Sequence, residues 1–176
     1  DDIRWGVIAP NTFGTHEFIE LCRLLDAEPY ICQNGLADIH EMSDWVKYSN
    51  ATEGKLAEIR KKNGSLNPFN VKIWSVGNER SGRDYIHKVR NAGSAIKEID
   101  PNILVTCSGT HGGSDIDPYL FESAGKYLDY ISAHQYWIEN WQEHSRPNYL
   151  SCMMLSEKPE LYVKNIISQI QTAEKK

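Results

Sequence analysis

The stretch Val71-Lys72-Ile73-Trp74-Ser75-Val76-Gly77-Asn78-Glu79 decides the fold of this chain. Apolar and β-branched side chains dominate it, and Pro68 interrupts whatever precedes it, so the pattern predicts a buried strand. Gly77, at the end of that strand, permits a close approach of backbone or substrate. Asn78 and Glu79 then place an amide and an ionisable carboxyl group where the strand leaves the core. Two interpretations follow: the pair begins a solvated loop, or it belongs to a functional site.

The composition favours one domain with a sizeable core, since the chain has 176 residues. Its net charge of -5 comes with no basic block, so we do not expect nucleic acid as a partner. No apolar run reaches the length of a membrane span, so no membrane partner is expected. The five Trp and nine Tyr suit stacking against sugar faces and equally suit an ordinary core.

The cysteines lie far apart in apolar stretches. We expect them to be small buried hydrophobic residues rather than zinc ligands or a disulfide framework; they are Cys22, Cys32, Cys107 and Cys152. Two segments, at 50–52 and 63–65, match the N-glycosylation pattern, which arises often by chance. The compartment, cytoplasmic or secreted, therefore stays open. The chain starts without Met and stops at the basic last turn of a predicted helix, so we expect a piece of a longer polypeptide.

Working outward from the central stretch, short apolar runs alternate with amphipathic helical patterns. Strands are predicted at 5–9, 30–33, 71–79, 103–107 and 130–136. The glycine-rich segment at 108–113 is expected to be a loop. This alternation predicts an α/β fold with parallel strands and helical crossovers. The spacing of the units suits a doubly wound sheet or a (β/α)8 barrel, and no dinucleotide-binding glycine motif follows any strand.

Polar side chains stand where the predicted strands finish. They are Asn34, Asn78, Glu79, Ser108, His134 and Tyr136. In a parallel barrel all these ends share one face, and that face carries the active site. We therefore expect Glu79 and His134 to face a common cleft, which favours the catalytic interpretation of Glu79.

A carboxyl group in such a cleft can hold its proton near neutral pH and give it to a leaving oxygen, because partial burial raises its pKa. Glycoside cleavage needs a second carboxylate, roughly 5 Å away for retention and further for inversion. The candidates for this second carboxylate lie in predicted loops, where solvated charged side chains are expected. They are Asp115, Asp117, Glu139 and Glu143. No partner for Glu79 is thus visible. His134 has no second ligand at metal spacing, so a hydrogen-bonding role is favoured over a metal site.

Five segments carry a resemblance to a known family, and they occur in that family's order. They are Asn11-Thr12-Phe13-Gly14-Thr15-His16-Glu17-Phe18, Ala27-Glu28-Pro29-Tyr30, Trp45-Val46-Lys47-Tyr48-Ser49-Asn50, Trp74-Ser75-Val76-Gly77-Asn78-Glu79 and Asp129-Tyr130-Ile131-Ser132-Ala133-His134-Gln135-Tyr136. Through them the chain resembles glycoside hydrolase family 51 over nearly its whole length. Most members of that family are α-L-arabinofuranosidases, retaining enzymes with a (β/α)8 barrel followed by a β-sandwich. A minority act on β-glucans.

The resemblance implies roles for the residues at the strand ends. Glu79 matches the general acid/base, and Asn78 matches the residue that holds a sugar hydroxyl beside it. His134 and Tyr136 match cleft residues of the sixth barrel strand, with Tyr136 contacting the sugar and orienting the nucleophile. Asn34 is expected to take part in substrate binding. No metal and no organic cofactor are expected.

By the same resemblance, residues 1–176 form part of a single TIM-barrel catalytic domain, from its second to its sixth strand. The first, seventh and eighth strands and the β-sandwich are not present, and the family's nucleophile is a Glu at the end of the seventh strand. The chain departs from the family at Ala9, at Asn34-Gly35-Leu36 and at Arg80-Ser81. These departures bear on substrate specificity rather than on the fold.

Three functional hypotheses remain. The first is an arabinofuranosidase that acts on arabinose-containing polysaccharides or oligosaccharides, and the second is a β-glucan-cleaving member of the same family. The third, of another class, is a carbohydrate-binding or structural fragment that is catalytically inert. Five strands of an eight-stranded barrel leave two open edges, so we expect a homo-oligomer or completion by another chain.

Overall fold

The computed structural model describes residues 6, 8, 10–110, 114–137 and 149–175, without the side chains of 151 and 152. The described part is built on one parallel sheet whose strand order follows the chain. Its strands are β1 (Tyr30–Gln33), β2 (Ile73–Val76), β3 (Leu104–Thr110) and β4 (Tyr130–Ala133). Of the strand predicted at 5–9 only Gly6 and Ile8 are described, so that strand stays a prediction.

Helices connect the strands and continue beyond them. They are α1 (Thr15–Leu24), α2 (Ile39–Asn50), α3 (Lys55–Lys62), α4 (Arg83–Ile99), α5 (Pro118–Ala124), α6 (Tyr149–Met154) and α7 (Lys158–Glu174). Parallel strands in chain order, each followed by a helical crossover, form the partial (β/α)8 barrel that the sequence predicts. No helix among the described residues is both long and apolar enough to cross a membrane.

The hydrophobic core lies between the sheet and its helices. Trp74 and Val76 of β2 are fully buried and pack in one cluster with Val89 and Ile96 of α4. Successive side chains of a strand point to opposite faces, so Ser75 points to the other face of the sheet. We call that face the lumen face, because it corresponds to the inside of a barrel.

The lumen face is open at the edge strands. Tyr30 on β1 and Tyr130 on β4 expose 45% and 57% of their surface. Their exposure is seen with the described residues alone. Among these residues, β1 and β4 are the edge strands of the sheet.

The loop expected at 108–113 is wrong for residues 108–110, which continue a strand, while 111–113 lie outside the described residues. β3 continues through Ser108 and Gly109 to Thr110, and its pairing with β4 shifts register between Ser108 and Thr110. The shift is a β-bulge, which glycine accommodates well. A Cβ on Gly109 would lie 1.9 Å from Cγ2 of Ile131, so only glycine lets β4 pack this closely.

Helix α3 buries an arginine. Arg60 has no exposed surface, and its guanidinium donates to the carbonyl oxygens of Tyr48 (2.9 Å), Ala51 (2.8 Å) and Ser65 (3.3 Å). Two of these carbonyls belong to the last turn of α2 and the residue that ends it. The last carbonyls of a helix have no partner within the helix and need one elsewhere. Arg60 therefore closes the end of α2 from inside the protein.

Asn50, in the first glycosylation-like segment, is occupied by the backbone of Val71. Its Nδ2 donates to the Val71 carbonyl at 2.8 Å, and its Oδ1 accepts from the Val71 N–H at 2.9 Å. A glycan on Nδ2 would disrupt this pair of hydrogen bonds. The pattern at 50–52 is thus explained by the packing of α2 against the entry to β2.

The cysteine expectation is confirmed for Cys22 and Cys107, which are buried, and wrong for Cys32, which is exposed. Cys32 lies on β1 in register with Ser75, on the open lumen face, where a complete barrel would cover it. All three thiols are free. The side chain of Cys152 lies outside the described residues.

Burial raises the pKa of the Cys107 thiol from its ordinary value of 9.0 to about 12. Partial burial raises the pKa of Cys32 as well, but its side chain is exposed. Because the thiolate is the nucleophile, we expect iodoacetamide at pH 8.5 to label Cys32 slowly in the folded chain and to leave Cys107 unlabelled. In denaturant both should react. Peptide mass spectrometry of the labelled chain measures this, and equal labelling of the two residues without denaturant would contradict the burial of Cys107.

Candidate active site

The turn after β2 presents Glu79 at the carboxyl edge of the sheet. β2 ends at Val76, earlier than predicted, because Gly77 takes a left-handed φ of 77°. A Cβ on Gly77 would lie 3.0 Å from the Cα of Gly35, so the close approach expected at this glycine is made by the turn after β1. Glu79 itself has a φ of 50°, uncommon for a residue with a side chain. Such conformations often occur at functional sites.

A buried tyrosine fixes the base of this turn. The Tyr85 hydroxyl, reaching up from α4, donates to the Val76 carbonyl at 2.5 Å and accepts from the Ser108 N–H at 2.9 Å. It thus ties the end of β2 to β3 at Ser108. Burial, with a smaller contribution from Cys107, raises the pKa of Tyr85 far above its ordinary value, so the hydroxyl stays a donor. The Ser75 hydroxyl adds a bond to the Gly77 carbonyl at 3.0 Å.

Glu79 and His134 contact each other across the carboxyl edge of the sheet, while the common cleft that the sequence predicts stays a prediction. Glu79 Oε1 lies 3.0 Å from Nδ1 of His134, and the two side chains are 34% and 32% exposed. They follow β2 and β4, so their contact spans the end of β3. On its other side, the imidazole Nε2 lies 2.7 Å from Oγ of Ser132. The partial exposure leaves the carboxyl group open to a ligand while most of its surface is covered.

Helix α7 holds the backbone of His134. The Tyr162 hydroxyl donates to the His134 carbonyl at 3.3 Å and makes a second hydrogen bond with the Thr110 hydroxyl. Trp137 packs its ring edge-on against Tyr162, with the ring centroids 5.8 Å apart. The histidine is therefore positioned by β3 and α7 as well as by its own strand.

Asn34 lies in the turn after β1, with its amide oxygen occupied. Oδ1 accepts from the Leu36 N–H at 2.8 Å, a contact that closes the turn. Lys88 of α4 donates to the Gly35 and Ala37 carbonyls and holds the same turn against the core. This geometry gives Asn34 a structural role, and its amide nitrogen is the group that the turn does not use.

Asn78 and Tyr136 are exposed at the same edge of the sheet. Tyr136 exposes 69% of its surface, three residues beyond the end of β4. Gly35 and Arg80, which belong to two of the departures from the family pattern, lie against each other nearby. A Cβ added to Gly35 would lie 3.1 Å from Cγ of Arg80. Arg80 therefore lies over the turn after β1, on the approach to Glu79.

The alternative acids have structural partners. Asp115 accepts from Asn165 at 3.1 Å and from Gln169 at 2.7 Å, which joins its loop to α7. Asp117 caps α5 by accepting from the Tyr119 N–H at 3.0 Å. Glu139 and Glu143 lie outside the described residues. Within residues 10–110, 114–137 and 149–175, no three His, Cys, Asp or Glu side chains come together as a metal site would require.

Sequence reasoning identified Glu79 and His134 and missed the residues that support them. Ser132 was read only as part of a strand, although it lies two residues before His134, and residues two apart share a face of a strand. That spacing was the available signal. The hydroxyl of Tyr85 and the side chain of Tyr162 left no signal of their roles in the sequence.

Comparison with known proteins identifies the family of this chain. The family described as the alpha-L-arabinofuranosidase 1 domain matches residues 2–152. The chain is 36% identical over 132 residues to the probable alpha-L-arabinofuranosidase C of Aspergillus niger, covering 69% of this chain and 26% of that protein. It is 32% identical over 149 residues to an intracellular exo-alpha-L-arabinofuranosidase of Bacteroides ovatus, covering 77% of this chain and 29% of that protein.

A solved structure extends the comparison to the fold. The crystal structure of an alpha-L-arabinofuranosidase from Thermotoga maritima, in an arabinose complex, superposes on 99% of this chain and 37% of its own with a TM-score of 0.77 and 31% identity. The chain thus spans between a quarter and two fifths of the length of these relatives. Because the family match covers most of the sequence, the chain belongs to the alpha-L-arabinofuranosidase 1 domain family, and its resemblance to glycoside hydrolase family 51 is confirmed.

Proposed function

We propose that this chain carries the acid/base part of a retaining α-L-arabinofuranosidase, which releases terminal arabinofuranose from arabinan- or arabinoxylan-type glycans. The observation that carries the proposal is the hydrogen bond of 3.0 Å between Glu79 and His134 at the carboxyl edge of the sheet. That edge is where enzymes of this architecture keep their reacting groups. The choice of arabinofuranose as the sugar rests on the names of the family and of the relatives.

In the first step, Glu79 gives its proton to the glycosidic oxygen as the bond to the leaving group breaks. A Glu outside this chain attacks the anomeric carbon, and a covalent arabinosyl-enzyme forms. In the second step, Glu79 takes a proton from water, whose oxygen attacks the same carbon and releases arabinose. Each half-reaction moves one proton through Glu79, which ends the cycle as it began.

The neighbouring residues bind and orient the sugar. Asn78 stands next to Glu79 in the sequence and offers its amide to a sugar hydroxyl. His134 holds Glu79 in place, and the exposed ring of Tyr136 offers a face to the sugar and a hydroxyl to the nucleophile. Asn34 contributes its amide nitrogen from the neighbouring turn.

We further propose that both sheet edges are covered in the working protein. The relatives are three to four times longer than the stretch they share with this chain, and β1 and β4, the edge strands among the described residues, carry the exposed Tyr30 and Tyr130. Further strands of the same polypeptide, a second copy, or another chain would complete the barrel and bring the nucleophile opposite Glu79.

The substrate is tested by comparing two nitrophenyl glycosides with the polypeptide as its gene encodes it. We expect nitrophenol to be released from the α-L-arabinofuranoside and free arabinose to be released from arabinan, with no hydrolysis of a nitrophenyl β-glucoside or of β-glucan. Preference for the glucosides would favour the β-glucan alternative. Binding of arabino-oligosaccharides without hydrolysis would favour the inert carbohydrate-binding alternative.

A further inference from the structure

Ser132, His134 and Glu79 form a continuous row of hydrogen bonds, with contacts of 2.7 Å and 3.0 Å on the two sides of the imidazole. We call this row the relay. We propose that Ser132 is a positioning residue that holds the imidazole of His134 against Glu79 and so keeps Glu79 competent both to give and to take a proton. The inference rests on the proposed acid/base function of Glu79 and assigns to Ser132 a role that the fold alone does not require.

The backbone directs Ser132 toward Glu79. Ile131 packs against the core and over Gly109, so it points toward the helices, and Ser132 points to the lumen face. His134 lies two residues further and therefore follows Ser132 on the same face. With Tyr162 holding the His134 carbonyl, the imidazole is fixed both at its backbone and at its ring.

The two tautomers of His134 have opposite effects on Glu79. When Nε2 carries the hydrogen and donates it to Ser132, Nδ1 presents a lone pair to Glu79 Oε1. The contact is then favourable only if the carboxyl group keeps its proton, which is the form that a general acid needs. In the other tautomer Nδ1 donates to the carboxylate, which stabilises the ionised form and opposes acid catalysis.

Ser132 can contact the imidazole in either tautomer, because its hydroxyl both donates and accepts. Ser108 occupies the register position beside Ser132 on the neighbouring strand, and register partners of parallel strands share a face. The Ser108 hydroxyl oxygen is buried, and it makes no hydrogen bond with Ser132 or with any other described residue. The contact of 2.7 Å therefore fixes the position of the imidazole ring, and in the first tautomer Ser132 accepts from Nε2.

The same tautomer also serves the second half-reaction. After Glu79 has given its proton to the leaving oxygen, its carboxylate faces the Nδ1 lone pair at 3.0 Å. This arrangement favours the return of a proton to Glu79, and water supplies that proton when it attacks the arabinosyl-enzyme. The relay itself gains and loses no net proton over the cycle.

The test is a leaving-group series of aryl α-L-arabinofuranosides with the enzyme as its gene encodes it. Activated dinitrophenolate leaves without protonation, whereas a phenolate of high pKa needs the acid. For Ser132→Ala we expect kcat/KM to fall about tenfold or more with the poor leaving group and to change less than about twofold with the activated one. Ser132→Thr keeps the hydroxyl and should restore most of the loss. Ser43→Ala removes a serine hydroxyl that donates to the Ile39 carbonyl in α2, and it serves as the remote control.

A loss that is equal for all leaving groups would show a merely structural role for Ser132 and would overturn the inference, as would no loss at all. Glu79→Gln, measured on the same series, separates this inference from the proposed function. If the loss of kcat/KM in Glu79→Gln is the same for all leaving groups, the acid/base assignment fails. If the loss in Glu79→Gln depends on the leaving group and the loss in Ser132→Ala does not, only the relay fails.

Discussion

Replacing Glu79 with glutamine is expected to lower kcat on aryl α-L-arabinofuranosides with poor leaving groups by about 10²- to 10⁴-fold, the range that general acid/base catalysis contributes. Glutamine keeps the size of the side chain and one oxygen at hydrogen-bond distance from His134, so the turn after β2 should remain intact. What is lost is the proton that the leaving oxygen needs. Steady-state kinetics with activated and poor leaving groups measures the effect.

A second variant at the same position makes use of the left-handed backbone conformation of Glu79. Because Glu79 has a left-handed φ of 50°, Glu79→Gly relieves local strain while it opens space beside the anomeric carbon, whereas alanine would keep the strain. Added azide should enter that space, attack the arabinosyl-enzyme without base assistance and restore turnover as arabinosyl azide. Glu58→Gln, which changes an exposed acid paired with Lys61 on α3, is the matched control. Activity of Glu79→Gly that equals that of the control would refute the assignment.

Replacing Arg60 with methionine is expected to lower the free energy of unfolding by about 3 kcal/mol. Methionine fills much of the same volume, so the loss comes from the carbonyls of Tyr48, Ala51 and Ser65, which then lie buried without a donor. Urea unfolding should show a lower midpoint with an unchanged slope, because the native fold and its buried area persist.

Two further substitutions separate the hydrogen bonds from the charge. Arg60→Lys keeps the positive charge but cannot reach three carbonyls with one compact ammonium group, so an intermediate loss is expected. Lys61→Met removes the neighbouring charge, whose partner is the exposed Glu58, and should change the midpoint little. If Arg60→Met were as stable as Lys61→Met, the closure of α2 by Arg60 would be wrong.

The sequence predicts the elements and the main contact of the site for clear physical reasons. Alternating strands and helices leave only parallel pairing with crossovers, and parallel strands bring their carboxyl ends to one edge. Glu79 and His134 each follow such a strand, so their meeting follows from the pattern. Local apolar periodicity and one topological rule are enough for this part.

What escaped prediction depends on partners that are distant in the chain. Gly109 stays in a strand because Ile131 of the next strand packs over it, whereas glycine runs by themselves indicate loops. Arg60 is buried because α2 ends beside it with carbonyls to satisfy, although a charged residue on a helix is normally expected at the surface. The role of Ser132 becomes visible only once Nε2 of His134 is seen to point toward it.

The strand order has a consequence for synthesis on the ribosome. Since each strand of the sheet pairs with the strand made just before it, every newly emerged unit finds its docking edge already assembled. Growth of this kind needs only loop closures over one helical crossover at a time, which keeps the entropic cost of each step low. Growth of this kind also means that the most recently made strand is always an edge strand, whose backbone groups can pair with another chain. A pause in translation just after β4 would prolong the time in which that edge can bind chaperones or aggregate.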